Sequence, residues 1–497
     1  MAPVDQEFLQ RVSLIPRHGL GLSVDVYQPD LFELVDALEQ CSLAYGYLEI
    51  FKASQPALAA VRQRLPACLL EYHAEGLWVT QPDMDTAYHL DHELATAAAH
   101  LGTLGCHWIN HECASKQMAG YAFGTYLPPL YTQASVEVTA EHIRLVQDHL
   151  DRQMPAPTGR VPLFLLELPP LTYFAFGDLP VAEFFRRVAD RTPCGMVLDI
   201  GHLWTVYRYS GEARRKGLTE FLAEFLDVFP MERVVQIHVA GLALHEAGGK
   251  ASDPAGSPRW LDAHGAPIPG LLFDMLKRVL AHPQLRCLKG IALEVDNKTV
   301  LQIVQEFQQF TERFASWDAL SRPVQPARQD AGRPALHAER QAGRLTQPVA
   351  EDRQAHTGKQ ELLAQYDRYA GLVTGKRWTD PPLGLPALDL EPGALEAYRQ
   401  TYLPHEILYW GGDLRDMFPE TCRRLDQADI ALESFVRYWV REPRRSPAPY
   451  DFFLLKIERF EAFVREVLPE AIETAVREAT VLREAYGAAC EQVRPVA

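Results

Sequence analysis

The chain has 497 residues, 47% apolar and 23% charged, with 65 acidic against 49 basic side chains and a formal charge of −16. An ordinary soluble composition at this length exceeds what one hydrophobic core organises and implies two domains. The negative balance excludes a nucleic-acid partner held mainly through its phosphates. No stretch approaches the roughly 18 apolar residues of a membrane span. The N-terminal MAPVDQEFLQRVSLIPRHG has early acids and no apolar signal core, and the eight cysteines include no CxxC pair. A reducing, cytoplasmic setting is expected.

Short apolar runs alternate with amphipathic segments through the first part of the chain. Strands are expected over 19–24, 45–51, 67–73, 107–113, 161–167, 195–200, 233–239 and 290–295. Helices are expected near 29–40, 55–64, 87–103, 137–153, 180–190, 216–228, 270–281 and 298–315. Eight parallel strands close a barrel, and runs that are apolar throughout suit strands covered by helices. The fold class is therefore α/β, a (βα)8 TIM-type barrel over 1–320. Residues 324–359 are crowded with Arg, Gln, Ala, Gly and Pro and carry no apolar stripe, so 321–359 reads as a flexible linker. Helical pattern resumes at Glu361, and 360–497 reads as a separate helical domain with a turn at Trp410-Gly411-Gly412.

The chemistry-bearing residues cluster at the ends of the strand runs, where a barrel enzyme places its site. His73, His111, Glu112, Glu167, Asp199, His202, His238, Asp262, His264 and Glu294 lie there. Imidazoles and carboxylates in that number suit first-row divalent metals, and engaging all of them takes more than one ion. Blander roles exist for each: Glu167 could cap a backbone amide, His202 could pack a loop, and Asp262 and His264 could belong to a surface turn. Neighbours on a strand face opposite ways, so His111 and Glu112 cannot both enter one pocket without a bulge. His111 is favoured, because an imidazole is harder to explain on the outer face. Glu49 could be a ligand or orient a histidine. Glu49, Glu112 and Asp296 are candidate general bases, His202 joins the catalytic set, and Tyr173 is a candidate substrate contact. His107, at the start of its strand, belongs to the stability face. No zincin HExxH, Walker or dinucleotide glycine motif is present.

The segments LLELPP, VLDIGH, QIHVAG, LDAHGAPI and ALEVD, in that order, resemble the barrel of the multinuclear non-heme iron-dependent oxidases, the family that includes the methanobactin-biosynthesis oxidase. The resemblance spans roughly 17–315. It implies a (βα)8 barrel holding two or three iron ions, with dioxygen as co-substrate, that modifies a ribosomal precursor peptide, commonly at cysteine. It places metal positions at His73, Glu167, Asp199, His238, Asp262, His264 and Glu294. Departures from the family pattern are the reversed order of His111-Glu112, Leu168 where asparagine is usual, and Ile200-Gly201-His202 where a hydrophobic residue and two asparagines are usual.

The tail segment LPHEILYWGGDLRDMFPETCRRLDQADIALESFVRYWV resembles the helical region of partner proteins that present peptides to these oxidases. It implies a fused peptide-recognition module that concentrates substrate at the barrel; a packing or dimerisation domain is the equal alternative. The competing functional readings are a divalent-metal barrel of sugar-isomerase or phosphodiester-hydrolase type, and a non-enzymatic protein with structural metal.

Overall fold

The eight apolar runs form eight parallel strands: β1 (Gly19–Val24), β2 (Tyr47–Phe51), β3 (Leu69–His73), β4 (Trp108–Glu112), β5 (Leu163–Glu167), β6 (Gly195–Asp199), β7 (Val234–Val239) and β8 (Gly290–Glu294). Each pairs with the next and β8 pairs with β1, which closes the barrel. The structure is a computed structural model that describes residues 2–154, 161–244, 258–319, 350–376, 388 and 391–491. Parallel register sets strand ends at matching heights: Glu112 stands opposite Glu167 and Asp199 opposite His238.

The outer helices follow the expected order: Leu31–Gln40, Gln55–Arg64, Leu90–Leu104, Gln133–Gln153, Val181–Ala189, Leu218–Val228, Gly270–Leu280 and Val300–Ala319. Several are started by side-chain caps, as where Asp30 accepts the N–H groups of Phe32 and Glu33. A further helix, Pro3–Ser13, closes the N-terminal end of the barrel. Its Phe8 and Val12 join Tyr47, Trp108, Leu165, Val197 and Val235 in one buried cluster. Tyr47 crosses this interior beside Gly21 and Gly290, where an added Cβ would sit 2.5 and 2.7 Å from its ring. With that end filled, the C-terminal strand ends are left as the accessible face.

Two insertions shape that face. An antiparallel hairpin, Ser115–Met118 with Tyr121–Leu127, follows β4, and a second, Leu242–Leu244 with Trp260–Asp262, follows β7. After β6 the chain turns directly into helix Ile200–Tyr209, with Asp199 as its N-cap.

A C-terminal helical bundle begins with Ala350–Thr374 and continues through Leu403–Tyr409, Pro419–Gln427, Glu433–Trp439, Phe452–Val467 and Ile472–Glu491. Of the segment expected as a linker, 321–349 lies outside the described residues, and helix Ala350–Thr374 starts within the remainder. The bundle's core is shared with the barrel: Trp78, Tyr121, Phe123, Leu130, Phe174 and Phe176 form one buried cluster with Tyr369, Ile407, Phe435, Trp439 and Phe460. Trp439 Nε1 donates to the Ala122 carbonyl (2.8 Å) and the Tyr450 hydroxyl to the Phe123 carbonyl (2.6 Å). Among the described residues no helix is long and apolar enough to cross a membrane.

Candidate metal centre

Strand alternation decides which side chains enter the barrel mouth. On β4, Asn110 and Glu112 point inward, and His111 between them points out against Trp78, ring centroids 5.5 Å apart. The structure thus brings Glu112, and not His111, to the mouth: no bulge interrupts the strand, and His111 is absent from every metal-competent group among the described residues. Burial lowers its pKa to about 4, so it sits neutral in apolar packing. His111→Ala should leave metal content unchanged at a stability cost of roughly 1–3 kcal/mol, whereas Glu112→Gln should lower metal content. Elemental analysis of both variants checks this.

Three overlapping groups of ligand atoms occupy the mouth: His73, Glu112 and Glu167; Glu167, Asp199, His238 and Glu294; and His202, His264 and Glu294. Glu167 belongs to the first two and Glu294 to the last two. The groups therefore form a row with a carboxylate at each junction. Asp262 faces the third group, 3.6 Å from His202 Nε2 and 3.2 Å from His264 Nε2.

Each of the four imidazoles is held by one nitrogen and presents the other. His73 Nδ1 lies 3.3 Å from the Ala74 carbonyl and His202 Nδ1 2.7 Å from the Leu168 carbonyl. These acceptors fix the protonated nitrogen, and both Nε2 atoms face carboxylates. His264 Nδ1 is 2.5 Å from Asp296 Oδ1, with Nε2 turned to Asp262 and Glu294. His238 is reversed: Nε2 lies 2.8 Å from Glu49, and Nδ1 faces Glu167 at 3.0 Å and Glu294 at 3.2 Å. Carboxylate or carbonyl support behind an imidazole is how proteins orient metal-binding histidines.

Charge argues in the same direction. Glu49, Glu112, Glu167, Asp199 and Glu294 are all buried, with Asp262 and Asp296 beside them. Isolated carboxylates are costly to bury, and bound cations offset that cost. Burial pushes Glu112 up to about 7 and Asp199 up to about 6. At Glu167 burial is outweighed by His238 and His73, which hold it well below the ordinary carboxylate range. At His73 burial is outweighed by Glu112, Glu167 and Glu49, which raise it to about 10.

The remaining expected residues fall into place around this row. Glu49 accepts from Ser23 Oγ at 3.0 Å and Trp108 Nε1 at 3.2 Å, behind His238. Asp296 backs His264. Tyr173 does not line the cavity; its ring packs on Tyr209 and Tyr402, at 5.6 and 6.1 Å. Sequence reasoning missed Asn110, whose Nδ2 donates to Glu167 Oε2 at 2.5 Å; its signal was its place two residues before Glu112. It also missed Asp25, Lys52, Lys116 and Tyr126, which line a cavity of about 260 Å3 over the row. A larger cavity of about 890 Å3 lies on the barrel flank between helices Val181–Ala189 and Leu218–Val228 and includes none of these residues.

A fourth cluster, His18, Glu71 and His107, lies at the opposite end of the barrel. Glu71 Oε1 meets His18 Nε2 at 2.6 Å and His107 Nδ1 at 2.8 Å, while Oε2 accepts the backbone N–H groups of His107 and Trp108. Protein donors engage both carboxylate oxygens, so this cluster ties strand starts together, as expected for His107.

A (βα)8 barrel with a multinuclear His, Asp and Glu centre at its mouth defines a metal-dependent enzyme. The family described as RiPP precursor modification enzyme MbnB/TglH/ChrH matches residues 18–313, and the chain belongs to it. Relatives include a "UPF0276 protein" of Paraburkholderia phytofirmans, 31% identical over 198 residues, which cover 37% of this chain and 52% of the relative. The chain thus spans about half the length of that relative. A "UPF0276 protein" of Caulobacter vibrioides is 26% identical over 272 residues, 54% of this chain and 84% of its own. Among solved structures, endonuclease IV from Thermus thermophilus is similar over 61% of this chain and all of its own, with 16% identity and a TM-score of 0.37. The description printed for the family is that of enzymes that modify RiPP precursors, and the clustered His, Asp and Glu side chains at the barrel mouth could hold metal ions.

Proposed function

We propose that this enzyme is an iron- and dioxygen-dependent oxidase that modifies its precursor peptide at cysteine. The observation that carries the reading is the row of three ligand groups sharing Glu167 and Glu294, with every imidazole oriented from behind. His73, Glu112 and Glu167 would hold one ion, Glu167, Asp199, His238 and Glu294 the next, and His202, Asp262, His264 and Glu294 the third. The donor set fits, since mixed imidazole and carboxylate ligands suit ferrous and ferric iron. Iron in this centre would supply the one-electron and dioxygen chemistry that side chains lack.

The protein's own residues do the rest. Glu49 and Asp296 hold His238 and His264 in the donor orientation, and Asn110 fixes the shared carboxylate of Glu167. Tyr126, with its phenol pushed up by burial and by Glu112, stays protonated as a donor at the cavity edge. Seven described cysteines are free thiols, which supports a reducing, cytoplasmic setting. The fused bundle takes the place of a peptide-recognition partner.

Anaerobic purification followed by elemental analysis and oxygen uptake with a cysteine-containing precursor tests this reading. Two or three irons per chain and uptake tied to peptide oxidation are expected. Zinc or manganese with no oxygen uptake would favour hydrolase or isomerase chemistry.

A pH dependence follows from the buried carboxylates. Glu112 at about 7 and Asp199 at about 6 lie above their ordinary 4.5 and 3.8. The metal-free fold therefore binds more protons than the unfolded chain and loses stability as pH rises through that interval. His73 acts in the same sense: its stabilisation is present below its ordinary 6.5 and lost as pH rises toward about 10. Glu49, Glu167 and Asp262 are lowered, and their contribution is lost only in stronger acid. Metal binding requires deprotonated carboxylates. The Tm difference between loaded and metal-free protein should widen from about pH 5.5 to 8. A constant difference would detach these carboxylates from metal binding.

A further inference from the structure

The cavity over the metal centre is not made by the barrel alone. Its lining includes Tyr402 and Trp410 from the C-terminal bundle together with Glu112, Asp262, His264 and Glu294. Both reach it through unusual backbone. Tyr402 ends a π-helical turn, Tyr398–Tyr402, a form that often marks functional sites. Trp410 ends helix Leu403–Tyr409 at a turn where Gly411 and Gly412 take φ of +67° and +119°, values that favour glycine. An added Cβ at Gly412 would sit 2.9 Å from Met417 Sδ. From helix Phe452–Val467, the buried Lys456 Nζ donates to the carbonyls of Trp410 and, at 2.8 Å, Gly412. These contacts brace the turn, and Trp410 is 41% exposed at the cavity rim.

We propose that the bundle is a fixed wall of the active site, and that Trp410 selects the peptide residue next to the one being modified. The selectivity half rests on the peptide-modification reading above; the wall does not. A cavity of about 260 Å3 falls below the ~300–1,000 Å3 that takes drug-sized ligands, so it admits one or two residues of an extended peptide. The ring at its rim favours an aromatic or apolar neighbour, which stacks on indole. An acidic neighbour is disfavoured, because Asp25, Glu75 and Asp296 share the lining and the two lysines there are paired, Lys52 with Glu93 at 2.7 Å and Lys116 with Glu75 at 2.5 Å.

The test uses the full-length, metal-loaded protein as wild type, Trp410→Ala, Trp410→Phe and Tyr409→Ala. Tyr409 is 47% exposed one residue away but does not line the cavity, and serves as control. The first readout is the rate at which excess EDTA strips metal, which requires no substrate. Trp410→Ala should speed it about tenfold, the scale on which removing an aromatic anchor is felt, with Tyr409→Ala at the wild-type rate. Equal rates in Trp410→Ala and wild type overturn the wall. The second readout is turnover of the tripeptides Gly-Cys-Phe, Phe-Cys-Gly, Gly-Cys-Asp and Asp-Cys-Gly. Wild type and Trp410→Phe should prefer the phenylalanine peptides. Trp410→Ala should lose that preference through a KM about tenfold higher, with kcat within about twofold. An unchanged preference in Trp410→Ala overturns the selectivity. If wild type turns over no tripeptide while EDTA stripping still accelerates in Trp410→Ala, the selectivity falls and the wall stands; the peptide reading itself falls only if the full precursor gives no oxygen uptake.

Discussion

Glu167→Gln should remove metal from two of the three ligand groups and lower turnover by at least about 100-fold, beyond the usual effect of losing a supporting residue. Glu167 belongs to both groups, with one oxygen 3.0 Å from His238 Nδ1 and the other 3.4 Å from His73 Nε2. Glutamine keeps the shape but replaces a negative oxygen by an amide nitrogen, which offers no lone pair to a cation. It also sets an NH2 group where Asn110 Nδ2 now donates, or forces the amide to turn its nitrogen toward His238. His238→Ala is the graded comparison: it belongs to one group and should remove one ion while the fold persists. Elemental analysis with circular dichroism reads both variants. Full metal content in Glu167→Gln would show that this carboxylate supports the site without binding metal.

Deleting 360–497 should yield an aggregated chain and not a soluble, metal-loaded barrel. Trp78, Met118, Tyr121, Phe123, Leu127, Leu130, Phe174 and Phe176 of the barrel are each at most 5% exposed, and they share their buried cluster with the bundle. Re-exposing a large apolar side chain costs roughly 1.5–3 kcal/mol. Eight of them exceed much of the ~5–15 kcal/mol that holds a typical domain together. The hairpin would also lose backbone partners, including the donation of Arg444 N–H to the Gly120 carbonyl at 2.7 Å. Soluble yield and metal content of the truncated chain check this. A soluble barrel with full metal would show the bundle to be an appended module.

The barrel is legible in the sequence because each strand is a run apolar enough to be buried on both sides and each helix an amphipathic segment of its own. All eight strands and their covering helices are local patterns of that kind. The meeting of His73, Glu167, Asp199, His202, His238, Asp262, His264 and Glu294 is legible too, since strand ends of a closed barrel converge wherever the chain places them. The choice between His111 and Glu112 waited on tertiary packing, because period-two alternation leaves the phase open until a neighbour such as Trp78 takes one face. So did the carboxylates behind the imidazoles, because Glu49 and Asp296 differ from inner groups only in distance. Packing also brought Tyr402 and Trp410, more than 100 residues beyond the last strand, to close the cavity: contacts between remote segments arise from packing apolar surface, and composition does not say which surface covers which.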